Sequence, residues 1–381
     1  MDTSSMASAA AAERTAVCAL KEKPCRQRAH GLEPASRDEA GSGKVLTIAI
    51  PSYNVERYLE HGLESYCDDR LVEGLEVIVV DDGSTDRTSA IAQRFVEREP
   101  RVFRLVSKRN GGHGSAVNAG LAAATGRYFR VVDGDDWVRT DGLVELIELL
   151  RAQTCDLVVD KKREVHMVTG ESELFALAAG VESGVALPFS EVCRNDAAAA
   201  QIMIHTLTAR TDYLRAIGMN LLEHTFYEDY EYIVKASAPA RDIAFFDIEV
   251  YQYLVGNAGQ SVSHANYVKR WADHTRVVDE MLRYLAAAEA GSLRVPVEGP
   301  ALAYLRHKVH LIVDTHYNIA LLFDEDRARG RARAAAFRRE LGERDPNQFA
   351  LGEKRYKTAL LLNRLGISYT RLEKLLARRG R

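Results

Sequence analysis

The feature that most constrains the fold is a repeated alternation between short apolar runs and amphipathic helix patterns. Runs rich in β-branched and other apolar residues occupy 45–50, 75–80, 102–106 and 128–132, and stretches with helical spacing separate them. Nearly continuous apolar runs are typical of parallel strands that are buried on both faces. This regular alternation predicts a doubly wound α/β sheet.

Beyond residue 155 the alternation loosens, and from residue 267 onward the pattern is helical. A strand is predicted over 201–207, a helix over 228–236 and a long strand or strand pair over 243–254. We therefore divide the chain into a flexible leader, an α/β domain, and a helical C-terminal region that ends in a basic amphipathic tail. These three regions are residues 1–43, 44–265 and 266–381.

Charge and apolar content limit the compartment and the partners. No run of 18 apolar residues occurs, so a membrane span is not predicted. The five cysteines are scattered without metal-ligand spacing, which favours unpaired thiols in a reducing compartment. We expect a cytoplasmic protein, with the inner face of the cell membrane as a further hypothesis, and we expect no nucleic-acid partner.

The charge is unevenly distributed along the chain. Residues 324–381 contain 16 Lys and Arg against 8 Asp and Glu, a net +8, while the whole chain carries −3 and the remainder therefore −11. A basic tail indicates either an anionic partner, such as a phospholipid surface or a phosphorylated acceptor, or simply a solvated helical face. The two interpretations are equally supported by the sequence.

Two polar clusters follow the first two predicted strands. The first is the run 51–54, Pro-Ser-Tyr-Asn, and the second is the run 81–86, which begins with Asp81 and Asp82. An α/β sheet binds ligands at the carboxyl ends of its strands. An aromatic ring beside carboxylates suits a base and its ribose. Asn54 could also cap a helix.

An acidic turn follows the fourth predicted strand. Asp133, Asp135 and Asp136 place three carboxylates within four residues. Two unit charges about 4 Å apart repel by several kcal/mol at an effective dielectric near 20, so the cluster favours a bound cation. Oxygen ligands of this kind suit Mg²⁺ or Mn²⁺ bridging a diphosphate.

Two further motifs open helices. The run Asn110-Gly111-Gly112-His113-Gly114 leads toward Asn118, and glycines before a helix let backbone N–H groups approach phosphate oxygens. The run lacks the dinucleotide-binding glycine spacing, and we assign His113 no role.

The second of these motifs is the pair Glu228-Asp229. It is interpreted either as a carboxylate that accepts a proton from a hydroxyl or as simple charge complementarity to a helix dipole.

The ordered set of motifs resembles glycosyltransferase family 2, which has the GT-A fold, a Rossmann-like and mostly parallel sheet. The resemblance covers roughly residues 44–265. It implies an inverting, metal-dependent enzyme that moves a sugar from a nucleotide diphosphate to a hydroxyl of a glycan or a lipid-linked acceptor. The motifs that carry it are Pro51-Ser52-Tyr53-Asn54, Val79 to Asp86, Asn110-Gly111-Gly112 with Asn118, Asp133-Gly134-Asp135-Asp136-Trp137 and Glu228-Asp229.

The resemblance also implies roles for individual residues. Asp133 and Asp135 correspond to the family's DxD pair, with Asp136 sharing a Mn²⁺ or Mg²⁺ ion. Asp229 corresponds to the general base, with Glu228 orienting it or the acceptor, and UDP is the default nucleotide. Tyr53 and Asp82 would hold the nucleoside. The full set of expected nucleotide-binding residues is Pro51, Tyr53, Asn54, Asp81, Asp82, Asn110, Gly111, Gly112, Asn118 and Asp133.

A fainter likeness and two alternatives complete the sequence-based interpretation. Residues 259–263 resemble a segment of capsule and exopolysaccharide transferases, although Leu254-Val255 stand where an arginine often precedes it. The QxxRW signature of processive synthases is absent, which favours single additions. The alternatives are a non-catalytic sugar-nucleotide binder or scaffold and a nucleotidyltransferase. A nucleotidyltransferase would have a Gly-rich basic loop at positions 51–54, where this chain has Pro-Ser-Tyr-Asn.

Overall fold

The computed structural model describes residues 43–256, 263–369 and 371. The predicted leader up to residue 42 and residues 259–262 of the exopolysaccharide-like segment lie outside the described residues. Within them ten strands form one sheet. The strands are β1 (Leu46–Ser52), β2 (Leu75–Asp81), β3 (Phe103–Ser107), β4 (Tyr128–Val131), β5 (Trp137–Val138), β6 (Leu157–His166), β7 (Ser172–Leu174), β8 (Ala186–Pro188), β9 (Leu207–Arg210) and β10 (Asp242–Val255).

Helices connect these strands and continue beyond the sheet. Those within the α/β part are α1 (Leu59–Glu64), α2 (Thr88–Arg98), α3 (His113–Ala123), α4 (Thr140–Ala152), α5 (Phe189–Val192), α6 (Asp196–Ala199), α7 (Thr211–Ala216) and α8 (Glu228–Ser237). The later helices are α9 (His264–Lys269), α10 (Trp271–Glu289), α11 (Gly299–Asn318), α12 (Arg327–Arg344) and α13 (Pro346–Arg364), with a π-helical turn at Ile319–Phe323 after α11.

The sheet has a parallel half and a mixed half. Strands β3, β2, β1 and β4 pair in that order and run parallel, as the strand–helix alternation predicts. Beyond β4 the pairing is mixed: β9 lies antiparallel between β4 and β6, and β10 pairs parallel with β6. The carboxyl ends of β1, β2 and β4 therefore meet at one edge of the sheet, which brings their polar clusters together.

The strand predicted over 201–207 is wrong; β9 begins only at Leu207. The preceding residues form turns because the Thr206 hydroxyl bonds to backbone groups that would otherwise pair with a neighbouring strand. Its Oγ1 donates to the Gln201 carbonyl at 2.7 Å and accepts from the Met203 N–H at 3.1 Å. Local side-chain bonds of this kind compete with strand formation.

One hydrophobic core joins the sheet to the C-terminal helices. Phe129 and Phe245 on the sheet belong to the same buried cluster as Val277, Leu305 and Phe337 on α10, α11 and α12. A second cluster covers the opposite face of the sheet. No helix in the described part of the chain is long and apolar enough to cross a membrane.

Several arginines of the basic C-terminal segment bind acidic groups of the protein itself. Arg329 and Arg333 both pair with the fully buried carboxylate of Asp324. Further pairs join Arg338 to Glu353 and Arg344 to Asp279. Much of the positive charge seen in the sequence therefore connects helices within the fold.

A buried ion pair ties β4 to β6 across β9. The Arg130 side chain is fully buried and contacts the Asp160 carboxylate through both terminal nitrogens, with Nη2 and Oδ1 3.0 Å apart. Arg130 Nη1 also donates to the Thr208 hydroxyl at 3.1 Å. A buried charge left without its partner is strongly destabilising, so the pair must be kept or lost together.

We expect Arg130→Met to lower the free energy of unfolding by about 3–5 kcal/mol, because it leaves the Asp160 carboxylate buried and unpaired. The double variant Arg130→Met/Asp160→Leu should recover most of that loss. Urea unfolding of both variants measures the difference. Equal destabilisation of the single and double variants would show that the ion pair does not matter in this way.

Candidate active site

The Asp82 carboxylate organises the loop that precedes α3. Asp82 is 2% exposed and accepts hydrogen bonds from Lys108 Nζ at 2.7 Å, Gly111 N at 3.0 Å and Gly112 N at 2.7 Å. The glycine N–H groups, which the sequence suggested for phosphate, thus donate to Asp82. In this structure the Asp82 carboxylate and the loop therefore satisfy each other's hydrogen bonds. The nucleoside role of Asp82 stays a prediction.

The α3 N-terminus lies unusually close to the loop before α8. Gly112 has φ +87°, which favours glycine, and a Cβ on Gly114 would lie 2.4 Å from the Leu222 carbonyl oxygen. Asn118 fixes this approach: its Nδ2 donates to the Leu221 carbonyl at 2.9 Å, and its Oδ1 accepts from the Leu221 N–H at 2.8 Å. In this structure the Asn118 amide therefore joins two segments of the protein, and its expected contact with a nucleotide stays a prediction.

The ends of β1 and β2 present the expected nucleoside side of the site. The Tyr53 residue is 51% exposed, so its ring is free for stacking, while Pro51 is buried within β1. Asn54 is not a helix cap, because it has φ +55° and its Oδ1 accepts from the Thr85 N–H at 2.8 Å. Asp81, also buried, accepts from the Ser84 N–H at 2.9 Å.

Asn110 adds a contact within the same loop. Its Nδ2 donates to the Asp82 carbonyl at 3.0 Å, and the residue itself is exposed. Of the residues expected to bind the nucleotide, Tyr53, Asn54 and Asn110 are thus exposed, whereas Pro51, Asp81 and Asp82 are buried in the support beneath them.

The acidic turn after β4 is held by β10. The Asp133 N–H donates to the Tyr251 hydroxyl at 3.2 Å, and that hydroxyl donates to Asp136 Oδ2 at 2.6 Å. Asp136 Oδ1 accepts from the Leu254 N–H at 2.7 Å. Asp136 is 4% exposed, while Asp133 and Asp135 are half-buried.

Burial and mutual repulsion perturb these carboxyls. Loss of hydration and the neighbouring Asp133 raise the pKa of Asp135 to about 6. The same causes, with Asp135 added, raise the pKa of Asp136 well above its usual value. A cluster that resists full ionisation when no cation is present is the electrostatic setting that a divalent ion would stabilise.

His205 joins this cluster, and the sequence gave no indication of it. His205 lies in the turn just before β9, and β9 pairs antiparallel with β4, the strand that ends shortly before Asp133. Ligand atoms of Asp133, Asp136 and His205 lie within 4.8 Å of one another.

The His205 ring is held in its neutral form. Its Nδ1 is buried and has no hydrogen-bond partner among the described residues. Burial and the nearby Lys162 lower the pKa of His205 to about 3. A neutral imidazole nitrogen is the form that binds metals.

His113, to which the sequence analysis assigned no role, bridges the two acidic motifs. Its Nε2 lies 2.9 Å from Asp133 Oδ1, and its Nδ1 lies 2.6 Å from Glu228 Oε1. Burial alone would lower the pKa of His113, but the hydrogen bonds to these two carboxylates raise it well above its usual value. Despite its burial, the His113 contact also keeps the pKa of Asp133 below its usual value.

Glu228 and Asp229 open α8, as predicted, and differ in burial. Tyr227 before them has φ +72°, a left-handed conformation that turns the chain into the helix. Glu228 is 4% exposed and binds His113, whereas Asp229 is exposed to solvent. Although part of the residue is exposed, the surrounding protein removes hydration from its carboxyl, and this loss and the adjacent Glu228 raise the pKa of Asp229 to about 6.

Comparison with known proteins finds a family match for much of the α/β part of the chain. Residues 47–184 match the model of glycosyl transferase family 2. This part of the chain is therefore similar to glycosyltransferase family 2. The match includes the nucleoside-side motifs, His113 and the acidic turn, and it ends before His205, Glu228 and Asp229.

Curated relatives also resemble only part of the chain. Glycosyltransferase EpsJ of Bacillus subtilis is 37% identical over 114 residues, which are 30% of this chain and 33% of EpsJ. Chondroitin synthase of Pasteurella multocida is 37% identical over 124 residues, which are 32% of this chain and 12% of the synthase. The chain therefore spans about a third or less of the length of these two relatives.

Solved structures extend the similarity to most of the chain. TarS residues 1–349 of S. aureus, crystallised in complex with UDP-GlcNAc, superimpose with a TM-score of 0.62 at 18% identity. The alignment covers 85% of this chain and 93% of that one. The expected GT-A fold with a helical C-terminal region is thereby confirmed.

Proposed function

We propose that this protein is an inverting family 2 glycosyltransferase that moves a sugar from a nucleotide diphosphate to an acceptor hydroxyl. The observation that carries the proposal is the convergence of the β4 acidic turn and the Glu228–Asp229 pair, which His113 connects directly. One group of carboxylates suits a diphosphate-bound cation, and the other suits proton abstraction. Neither a scaffold nor a simple nucleotide binder needs both.

The donor is proposed to lie along the carboxyl ends of β1, β2 and β4. The exposed Tyr53 ring offers a stacking surface for the base, and Asn54 and Asn110 offer polar groups beside it. TarS, a structural neighbour, was crystallised with UDP-GlcNAc, which supports a uracil nucleotide as the first donor to test.

Asp133, Asp136 and His205 are proposed to hold a Mn²⁺ or Mg²⁺ ion. Carboxylate oxygens and a neutral imidazole nitrogen are suitable donors, and the three groups are already close enough to share an ion. When bound, such an ion neutralises the charge that develops on a departing diphosphate. Asp135, expected to be a ligand from its DxD position, falls outside this group among the described residues, and its role as a ligand stays a prediction.

Asp229 is proposed as the general base. A pKa near 6 keeps most of the carboxylate ionised at neutral pH while leaving it basic enough to accept a proton in the transition state. The acceptor oxygen then attacks the anomeric carbon on the face opposite the leaving group. A single displacement of this kind inverts the anomeric configuration.

The acceptor is proposed to be a glycan or a lipid-linked saccharide, as the family resemblance suggests. Arginines of α12 bind Asp324, Glu353 and Asp279 within the fold, which reduces the positive charge available for an anionic surface. Peripheral contact with a membrane therefore rests only on the remaining exposed basic residues and stays a hypothesis.

Incubation with a panel of sugar nucleotides and Mn²⁺, read by mass spectrometry, should reveal slow hydrolysis of one donor and transfer to an added acceptor. Asp229→Asn should lower transfer by roughly 10²–10⁴-fold, because the amide cannot accept the proton. Asp247→Asn, at an exposed position on β10, is the matched control and should leave transfer unchanged. Donor binding without any turnover would favour the scaffold alternative, and formation of a sugar nucleotide from a sugar phosphate would favour the nucleotidyltransferase.

Transfer should also depend on pH through Asp229. Because its pKa is raised to about 6, the carboxyl becomes neutral as the pH falls through that value, and kcat/KM should decline below pH 6. A profile of kcat/KM between pH 4.5 and 8 measures this. A profile that stays flat over the whole range from pH 4.5 to 8 in the wild-type protein would contradict Asp229 as the base.

Mn²⁺ binding tests the proposed metal ligands without relying on activity. Asp136→Asn and His205→Asn should each weaken Mn²⁺ affinity roughly tenfold or more, as measured by the electron paramagnetic resonance signal of free Mn²⁺. Electron spin-echo modulation from an imidazole nitrogen should be present in the wild type and lost in His205→Asn. His224→Asn, at an exposed histidine, should retain both properties; modulation that persists in His205→Asn would contradict the assignment.

A further inference from the structure

His113 occupies a position that the proposed chemistry does not itself require. The ring belongs to the first residue of α3, yet its two nitrogens contact carboxylates on two other elements: Asp133 after β4 at 2.9 Å and Glu228 at the start of α8 at 2.6 Å. Those carboxylates are 95 residues apart in the sequence. One imidazole is thus the direct connection between the two acidic motifs.

The two contacts impose a proton count. A ring nitrogen and a carboxylate oxygen form a hydrogen bond only if a proton lies between them. Two such bonds around His113 therefore require two protons among the ring, Asp133 and Glu228. Whichever group carries them, the ring holds both carboxylates at fixed distances instead of letting them repel each other.

The backbone beneath His113 is rigid for independent reasons. The Asp82 carboxylate accepts from the N–H groups of Gly111 and Gly112, and the Gly111 carbonyl accepts from the His224 N–H at 2.5 Å. Gly114 permits a backbone approach that any side chain would block. Because this backbone is held in place, the His113 ring can fix the positions of the two carboxylates that it contacts.

We propose that His113 is a positioning residue that sets Glu228, and with it Asp229, relative to Asp133. This inference rests on the proposed function, since its purpose is to align the base with the donor. Glu228 is the neighbour of Asp229 in the first turn of α8, so a shift of Glu228 moves the base as well. His113 itself does not touch the reacting atoms.

The first test is His113→Ala with the preferred donor and an acceptor. We expect kcat to fall roughly 10–100-fold, the range seen when groups that orient catalytic ligands are removed, while the donor KM changes less than threefold. Because the side chain is 32% exposed, added imidazole should reach the vacated space and restore part of kcat. His307→Ala, at an exposed histidine of α11, should show neither the loss nor the recovery.

A double-mutant cycle covers the case in which His113→Ala is merely unstable. If His113 acts through Glu228, the loss in kcat for His113→Ala/Glu228→Gln should be clearly smaller than the product of the two single losses. Unfolding midpoints of the variants identify any loss that comes from stability. A loss in the double variant equal to the product of the two single losses would overturn the proposal, and so would wild-type kcat in His113→Ala. A wild-type protein that is inactive on every donor would instead count against the proposed function.

Discussion

Repulsion among carboxylates is the constraint on which this site depends. Asp133, Asp135, Asp136, Glu228 and Asp229 converge at one edge of a sheet, where burial deprives several of them of water. Like charges in such surroundings either take up protons or find cations. His113 lies between two of these carboxylates, and a hydroxyl and a backbone N–H of β10 donate hydrogen bonds to a third. These contacts reduce the repulsion within the cluster.

The mixed half of the sheet makes this convergence possible. A purely parallel continuation beyond β4 would need a helical crossover and would leave the carboxyl edge lined only by strand ends. The antiparallel β9 instead pairs with β4, and His205, in the turn before β9, lies near Asp133. The long strand β10 then supplies the Tyr251 hydroxyl from the other side of the turn. Residues from distant parts of the chain thus join the acidic turn, whose own carboxylates lie within four consecutive residues.

The sequence predicted the parallel strands, the acidic turn and the helix opening at Glu228, because each has a local pattern. It did not predict His205, since that residue comes near Asp133 only because the strand that follows it, β9, pairs antiparallel with β4. His113 was visible but uninformative, because its partners are 20 and 115 residues away. Asp82 and Asn118 were expected to face a nucleotide, which stays a prediction. The sequence did not predict that their side chains also bond to neighbouring loops, because those contacts arise only in the folded chain.

The core shared by the sheet and the C-terminal helices has an evolutionary consequence. Phe337 and Leu341 on α12 pack into the same interior as Phe129 on β4, so the helices are not an appended module. A substitution in the sheet must therefore fit the helices that pack on it, and the reverse also holds. Recombination that exchanged the helical segment alone would leave mismatched apolar surfaces. Diversification of acceptor preference in proteins built this way is therefore expected to proceed through loops, with sheet and helices inherited as one unit.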